Sequence, residues 1–177
     1  MISNELEVNS FNEGGTIGAT TYWGLVKYIC GYEDPEEAVN DAKKGDNEKI
    51  DLTVGDIYGG DYANFGLDSK IVASSFGKVK NIDINNLRKE DISRSLLTFF
   101  CVNIMQISYF WASNENLDKI IIVGNPFECL EFMQMVQMSI NYFSKGKIKT
   151  FFTDFSPFFN VLGMYSKLKD MENDIQI

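Results

Sequence analysis

The sequence predicts an α/β domain with at least some parallel strand pairing. Two observations predict it. Short apolar runs at 119–123 and 148–153 are each followed by a helical stretch, giving a strand–helix–strand–helix order in the second half of the chain. A length of 177 residues, 45% of them apolar and 14% aromatic, is enough to bury a sizeable core in one domain spanning 1–177.

Taken in order, Leu6–Phe11 reads as a short strand that ends in Gly14-Gly15-Thr16-Ile17-Gly18. Thr20 or Thr21 is placed to N-cap a helix through Trp23, Leu25, Val26, Tyr28 and Ile29, with Gly31 as its stop. Asp34 offers the next N-cap. Pro35 at the first helical position loses no hydrogen bond, and Glu36 and Glu37 suit the positive end of the helix dipole. This helix is expected to end near Lys43-Lys44-Gly45, and residues 46–88 read as irregular and polar. Lys89-Glu90-Asp91 opens a long helix. Its apolar residues, from Ile92 through Leu96, Leu97, Phe100 and Ile104 to Phe110 and Trp111, cover most of the circumference. Such a helix is buried on several sides or sits in a subunit interface. After the run at 119–123 come a Gly124-Asn125-Pro126 turn, a helix over about 127–143 with Met133, Met135 and Met138 as core filler, a strand at 148–153 and a last helix over 158–169. Lys145, Lys147 and Lys149 read as solvated.

Composition excludes several function classes. A formal net charge of −9 argues against a nucleic-acid partner. Apolar runs such as Ile120–Val123 are too short to cross a bilayer, so no membrane partner is expected. Met1-Ile2-Ser3-Asn4-Glu5 lacks the basic and apolar regions of a secretion signal. Cys30, Cys101 and Cys129 form no C-x-x-C pair and the chain has no histidine, so no metal site is expected. Reduced, buried thiols in a cytoplasmic protein are the simple reading.

The most informative stretch is Val54-Gly55-Asp56-Ile57-Tyr58-Gly59-Gly60-Asp61-Tyr62, followed by Ala73-Ser74-Ser75-Phe76-Gly77-Lys78. Packing alone does not ask for that order of glycines, acids and tyrosines. It resembles the eukaryotic-type (type II) pantothenate kinases, which carry a D-I-Y-G-G-D-Y segment and then S-S-F-G. The resemblance covers most of the chain. Gly14-Gly15-Thr16-Ile17-Gly18-Ala19-Thr20-Thr21-Tyr22-Trp23-Gly24-Leu25 is similar to the family's glycine-rich loop and following helix, and Lys44-Gly45-Asp46 to a K-G-D turn. Lys89-Glu90-Asp91 and Asn103-Ile104-Met105-Gln106-Ile107 match the K-E-D opening and N-I-x-Q-I interior of a long helix. Gly124-Asn125-Pro126-Phe127-Glu128 echoes a G-N-F-L-R turn, and Tyr142-Phe143-Ser144-Lys145-Gly146 a Y-W-S-K-G helix end.

The resemblance implies a ribonuclease-H-like lobe of the actin/hexokinase/Hsp70-like superfold, ATP with Mg²⁺ as phosphoryl donor, pantothenate as acceptor, a role in coenzyme A biosynthesis, and a dimer. It also implies a part only. The family's first phosphate loop and catalytic glutamate lie upstream of anything matched, an expected arginine aligns with Phe11, and the G-N-F-L-R arginine is replaced by Glu128. The family's H-E-G-Y-x-G-A-x-G-A end has become Asp154–Met164, with one glycine left, and a triple glycine has become Gly18-Ala19-Thr20. The expectation is therefore a carboxy-terminal lobe with no catalytic residue of its own, inactive alone. Gly18, Ala19, Thr20 and Thr21 stand either as a phosphate site at a helix N-terminus or as an ordinary capped turn. Gly124 and Asn125 stand either as an adenosine-side contact or as a plain strand end. Asp56–Tyr62 and Ala73–Gly77 read as a structural loop or dimer contact. Two functions stay open: part of a pantothenate kinase, or a non-catalytic pseudoenzyme that pairs with a complete kinase as homodimer or heterodimer and regulates it. A decaying product without a role is a third.

Overall fold

The computed structural model describes residues 15–124, 129–153 and 158–175, with side chains to residue 169. The strand expected at Leu6–Phe11 and the residue Asn125 lie outside the described residues.

The centre of the molecule is the helix α4, Lys89–Asn114, packed by α1 (Ala19–Cys30), α2 (Pro35–Ala42) and α5 (Leu130–Ser144). Its apolar girth, read from sequence as core or interface, is mostly core: Leu96, Leu97, Phe100, Cys101 and Met105 are buried, whereas Ile107 and Phe110 face solvent. By length and hydropathy alone α4 is long and apolar enough to cross a membrane. α1, α2 and α5 pack on it, and Asp91, Ser93 and Ser95 are buried along it.

Three rings meet at the middle of this core. Phe100 and Phe132 sit edge to face at 5.4 Å, and Tyr22 meets Phe132 edge-on at 5.5 Å. Each is at most 2% exposed. The Tyr22 hydroxyl is 2.9 Å from Ser93 Oγ, whose own hydroxyl donates to the Ala38 carbonyl at 2.7 Å, so one polar chain ties α1, α4 and α2. Phe100→Ala is expected to cost about 3–5 kcal/mol by cavity formation, read as a fall in the urea midpoint.

The strand content is small. β1 (Leu52–Thr53) pairs antiparallel with β2 (Val72–Ser74). Between them lie the short helix α3 (Val54–Tyr58) and a 3-10 turn at Ala63–Phe65. β3 (Lys119–Ile122) pairs with β4 (Lys149–Phe152) in parallel, in the register Lys119↔Lys149 to Ile122↔Phe152, with α5 as the crossover between them. The expected parallel pairing is present. α6 (Phe159–Ile175) follows β4. Its Phe159, Leu162, Tyr165 and Leu168 are exposed, as are Ile121 and Phe151 on the sheet.

Three expectations need correction. The N-cap of α1 is Gly18, not Thr20 or Thr21, because the helix starts at Ala19 and these threonines fall in its first turn. Thr21 still caps, from inside: its Oγ1 accepts the Gly18 N–H at 3.0 Å. Met138 is 56% exposed rather than core filler, while Met135 is buried. Of the three thiols only Cys101 is fully buried; Cys30 and Cys129 are half-buried, and all three are free.

Candidate functional site

Three of the segments quoted for the resemblance contribute to one cleft. β2 and the turn after it supply Val72, Ala73 and Ser75; α4 supplies Phe99, Val102, Asn103 and Gln106; α5 supplies Met138, Ser139, Tyr142 and Phe143. The α4 residues recur at three- and four-residue steps, so they form one stripe along the helix, and Met138/Tyr142 and Ser139/Phe143 repeat at four-residue steps on α5. Together with Ile71 and Thr98 they enclose an open cleft of about 700 Å³.

Its lining is mostly apolar, and among the described residues that form it there is no carboxylate, lysine or arginine. Several polar groups are spent on their own helices: the Asn103 side-chain amide donates to Phe99 O at 2.7 Å, Thr98 to Arg94 O at 2.9 Å and Ser139 to Met135 O at 2.8 Å. The Asn103 amide oxygen, the Gln106 amide, the Ser75 hydroxyl and the Tyr142 hydroxyl carry the remaining hydrogen-bonding capacity. An apolar wall with a few neutral polar groups is the usual make-up of a small-molecule pocket.

The D-I-Y-G-G-D-Y segment is a tightly stitched loop, tied to the cleft's edge just before it by the Val54 N–H, which donates to Ile71 O at 2.9 Å. Thr53 caps α3 and shares a capping box with Asp56, whose Oδ2 accepts the Thr53 N–H at 2.8 Å. Gly59, at φ 78, ends the helix in the left-handed region. Asp61 accepts the Ser69 N–H at 2.7 Å. Tyr58 stacks on Tyr62 at 4.2 Å and Tyr62 on Phe65 at 4.8 Å, an aromatic pile at the surface.

Lys78 of the second segment reaches Asp56 of the first at 2.6 Å. That ammonium, aided by the N–H and hydroxyl of Thr53, pulls the Asp56 carboxyl down to about 2 from the ordinary 3.8. The folded value lies below the unfolded one, so this carboxylate stabilises the loop above pH 3.8 and the contribution fades as pH falls towards 2. Amide exchange followed down the acid range should show 53–78 opening before the α4 core, and Lys78→Met should move that opening to higher pH.

The expected phosphate turn lies elsewhere, at the head of α1. Gly18 is extended (φ −134, ψ 179) and Ala19 and Thr20 are helical, so the loss of the triple glycine strains nothing there. The first turn of α1 carries no acidic residue, and Thr21 donates its hydroxyl to Thr16 O at 3.4 Å. Gly124, at φ 126, follows the carboxyl end of β3, the side on which open α/β sheets commonly bind ligands. Among the described residues no group of three or more metal-ligating side chains comes together. The cleft residues Ser75, Asn103, Gln106 and Tyr142 were not singled out as a site from the sequence. Their signal was the shared face of two motifs, N-I-x-Q-I and the Y-F-S-K-G helix end.

Comparison with known proteins agrees with these motifs. A family model described as Fumble matches residues 5–167. Pantothenate kinase 2 of Arabidopsis thaliana is 37% identical over 156 residues, covering 86% of this chain and 17% of that protein. Pantothenate kinase 2 of Oryza sativa subsp. japonica is 38% identical over the same shares. Pantothenate kinase 1 of Arabidopsis thaliana is 34% identical over 168 residues, 92% of this chain and 44% of that protein. The chain thus spans less than half the length of each of these relatives.

Proposed function

Because this chain belongs to the Fumble family, the family of the pantothenate kinases, we propose that it carries the substrate-side portion of a cytoplasmic, ATP-dependent pantothenate kinase of coenzyme A biosynthesis and does not catalyse phosphoryl transfer by itself. In this reading the β3–α5–β4 unit belongs to a ribonuclease-H-like lobe. The Mg²⁺–ATP clamp and the general base come from residues outside the described set. The observation that carries the reading is the cleft. Three family segments contribute to it, it is sized for a small molecule, and its described lining offers neutral hydrogen-bonding groups without a charged side chain.

Phosphoryl transfer is accelerated by positioning and by charge placed around the γ-phosphate. This cleft can supply positioning only. Its apolar wall suits the branched aliphatic part of pantothenate, and Gln106 and Asn103 offer partners for its amide and hydroxyl groups, while its carboxylate needs a partner from outside the described lining. Calorimetric titration tests this. Pantothenate should bind saturably, and Gln106→Ala should weaken it about tenfold, the worth of one hydrogen bond at roughly 1.4 kcal/mol. Saturable binding of Mg²⁺–ATP without binding of pantothenate would overturn the proposal.

A second reading, a non-catalytic partner of a complete kinase, draws support from the apolar groups left exposed near the cleft. Phe110 on α4, Tyr142 on α5 and the Tyr58–Tyr62–Phe65 stack are exposed apolar groups of the kind a homodimer or heterodimer contact would cover.

A further inference from the structure

Asp51 has no exposed surface, yet among the described residues no lysine or arginine lies within ion-pair distance of it. A buried carboxylate is costly unless its oxygens are fully engaged. Here three neutral donors, from three different segments, engage it. Oδ1 accepts the Phe76 N–H at 2.9 Å and the Ser95 hydroxyl of α4, and Oδ2 accepts the Asn47 side-chain amide at 2.9 Å.

The Phe76 contact is the informative one. Phe76 has φ 59, a left-handed conformation that a residue with a side chain avoids unless its surroundings impose it. It lies directly after Ser75, which lines the cleft, and its ring packs on the main core. Asp51 is therefore the acceptor that holds an unfavourable turn in place and anchors it to α4, the opposite wall of the same cleft.

We propose that Asp51 is a positioning residue: through Phe76 N–H and Ser95 it sets the distance between the Ala73–Ser75 wall and α4, and so controls binding in the cleft. This rests on the substrate reading above for the identity of the ligand, but not for the clamp itself. Asparagine at this position keeps the volume and replaces one acceptor with a donor, which then faces a donor.

The test uses the whole chain as Asp51→Asn and, as a milder variant that removes a single donor, Ser95→Ala. Amide exchange and pantothenate titration are measured on both. Asp51→Asn should raise exchange at Phe76 and its neighbours by about tenfold or more through local opening, while Leu97 and Cys101 in the α4 core stay protected. Pantothenate affinity should fall by about tenfold in parallel, with Ser95→Ala moving both readouts in the same direction by less. If Asp51→Asn does not fold, the Ser95→Ala pair of readouts decides. Unchanged exchange at Phe76 would overturn the clamp. Faster exchange with unchanged affinity would overturn its control of the cleft. A wild-type chain that binds no pantothenate sinks the substrate reading, and the exchange arm then still judges the clamp.

Discussion

Gly45→Ala is expected to lower stability by about 3 kcal/mol or more, at or beyond the upper end of the usual cost of overpacking. A methyl group on Gly45 would lie 2.1 Å from the Glu90 carbonyl oxygen, 2.6 Å from its carbon and 2.8 Å from Arg94 Cβ. Two of these atoms are backbone of α4, so no rotamer change relieves the clash. α2 and α4 would have to separate. That would break the Asp46 N–H bond to Asp91 at 2.8 Å and the Ser93 bond to Ala38 O at 2.7 Å. Against a total of roughly 5–15 kcal/mol for a domain, such a loss is large. Urea denaturation should show it as a lower midpoint at unchanged slope; a loss below about 1 kcal/mol would mean that α2 moves freely on α4.

Gly77→Ala is expected to act on the cleft more than on the core. Here the added methyl would meet Leu52 Cβ at 2.6 Å and the Ser74 carbonyl oxygen at 3.0 Å. Gly77 closes the turn through its N–H to Ser74 O at 3.1 Å, and Leu52 and Ser74 are paired across β1 and β2. Relieving the contact opens this turn and moves the Ala73–Ser75 wall. A stability loss of about 2 kcal/mol should come with a fall of more than tenfold in pantothenate affinity. Protected exchange in the Tyr22–Phe100–Phe132 core should persist. A variant that binds pantothenate as the wild type does would detach this turn from ligand binding.

Much of the helical frame was legible in the sequence, for local reasons. Asp34 and Pro35 set the start of α2, where the Asp34 carboxylate accepts the Glu36 N–H at 2.9 Å. Lys89-Glu90-Asp91 marked the start of α4, and Gly31 ends α1 at φ 74. The strand runs at 119–123 and 148–153 gave the parallel pair because each is short, apolar and separated by a helical stretch. The start of α1 was less legible, since Gly18 caps with backbone alone while Thr21 reaches back from the third helical position. Residues 46–88 hid a β1–β2 pair and α3, because elements of two to five residues carry too little periodicity to see.

The site followed the same division. The motifs themselves were visible, and two of their glycines, Gly45 and Gly77, sit where a Cβ would meet neighbouring backbone. Their convergence was not visible. Ala73 and Gln106 are far apart in sequence, and only the packing of α4 against α5 and the Asp51-tethered turn brings them onto one cleft. Met138 shows the limit of reasoning from residue type: a methionine on an amphipathic helix reads as core until the cleft exposes it.

The most direct measurement is ATP- and Mg²⁺-dependent phosphorylation of labelled pantothenate by the purified 177-residue chain, alone and mixed with the full-length Pantothenate kinase 1 of Arabidopsis thaliana. No turnover by the chain alone is the predicted result; altered turnover by the plant enzyme in the mixture would favour the partner reading instead. Turnover by the chain alone would contradict the proposal, because it would require a general base and a phosphate clamp that the described lining of the cleft does not supply.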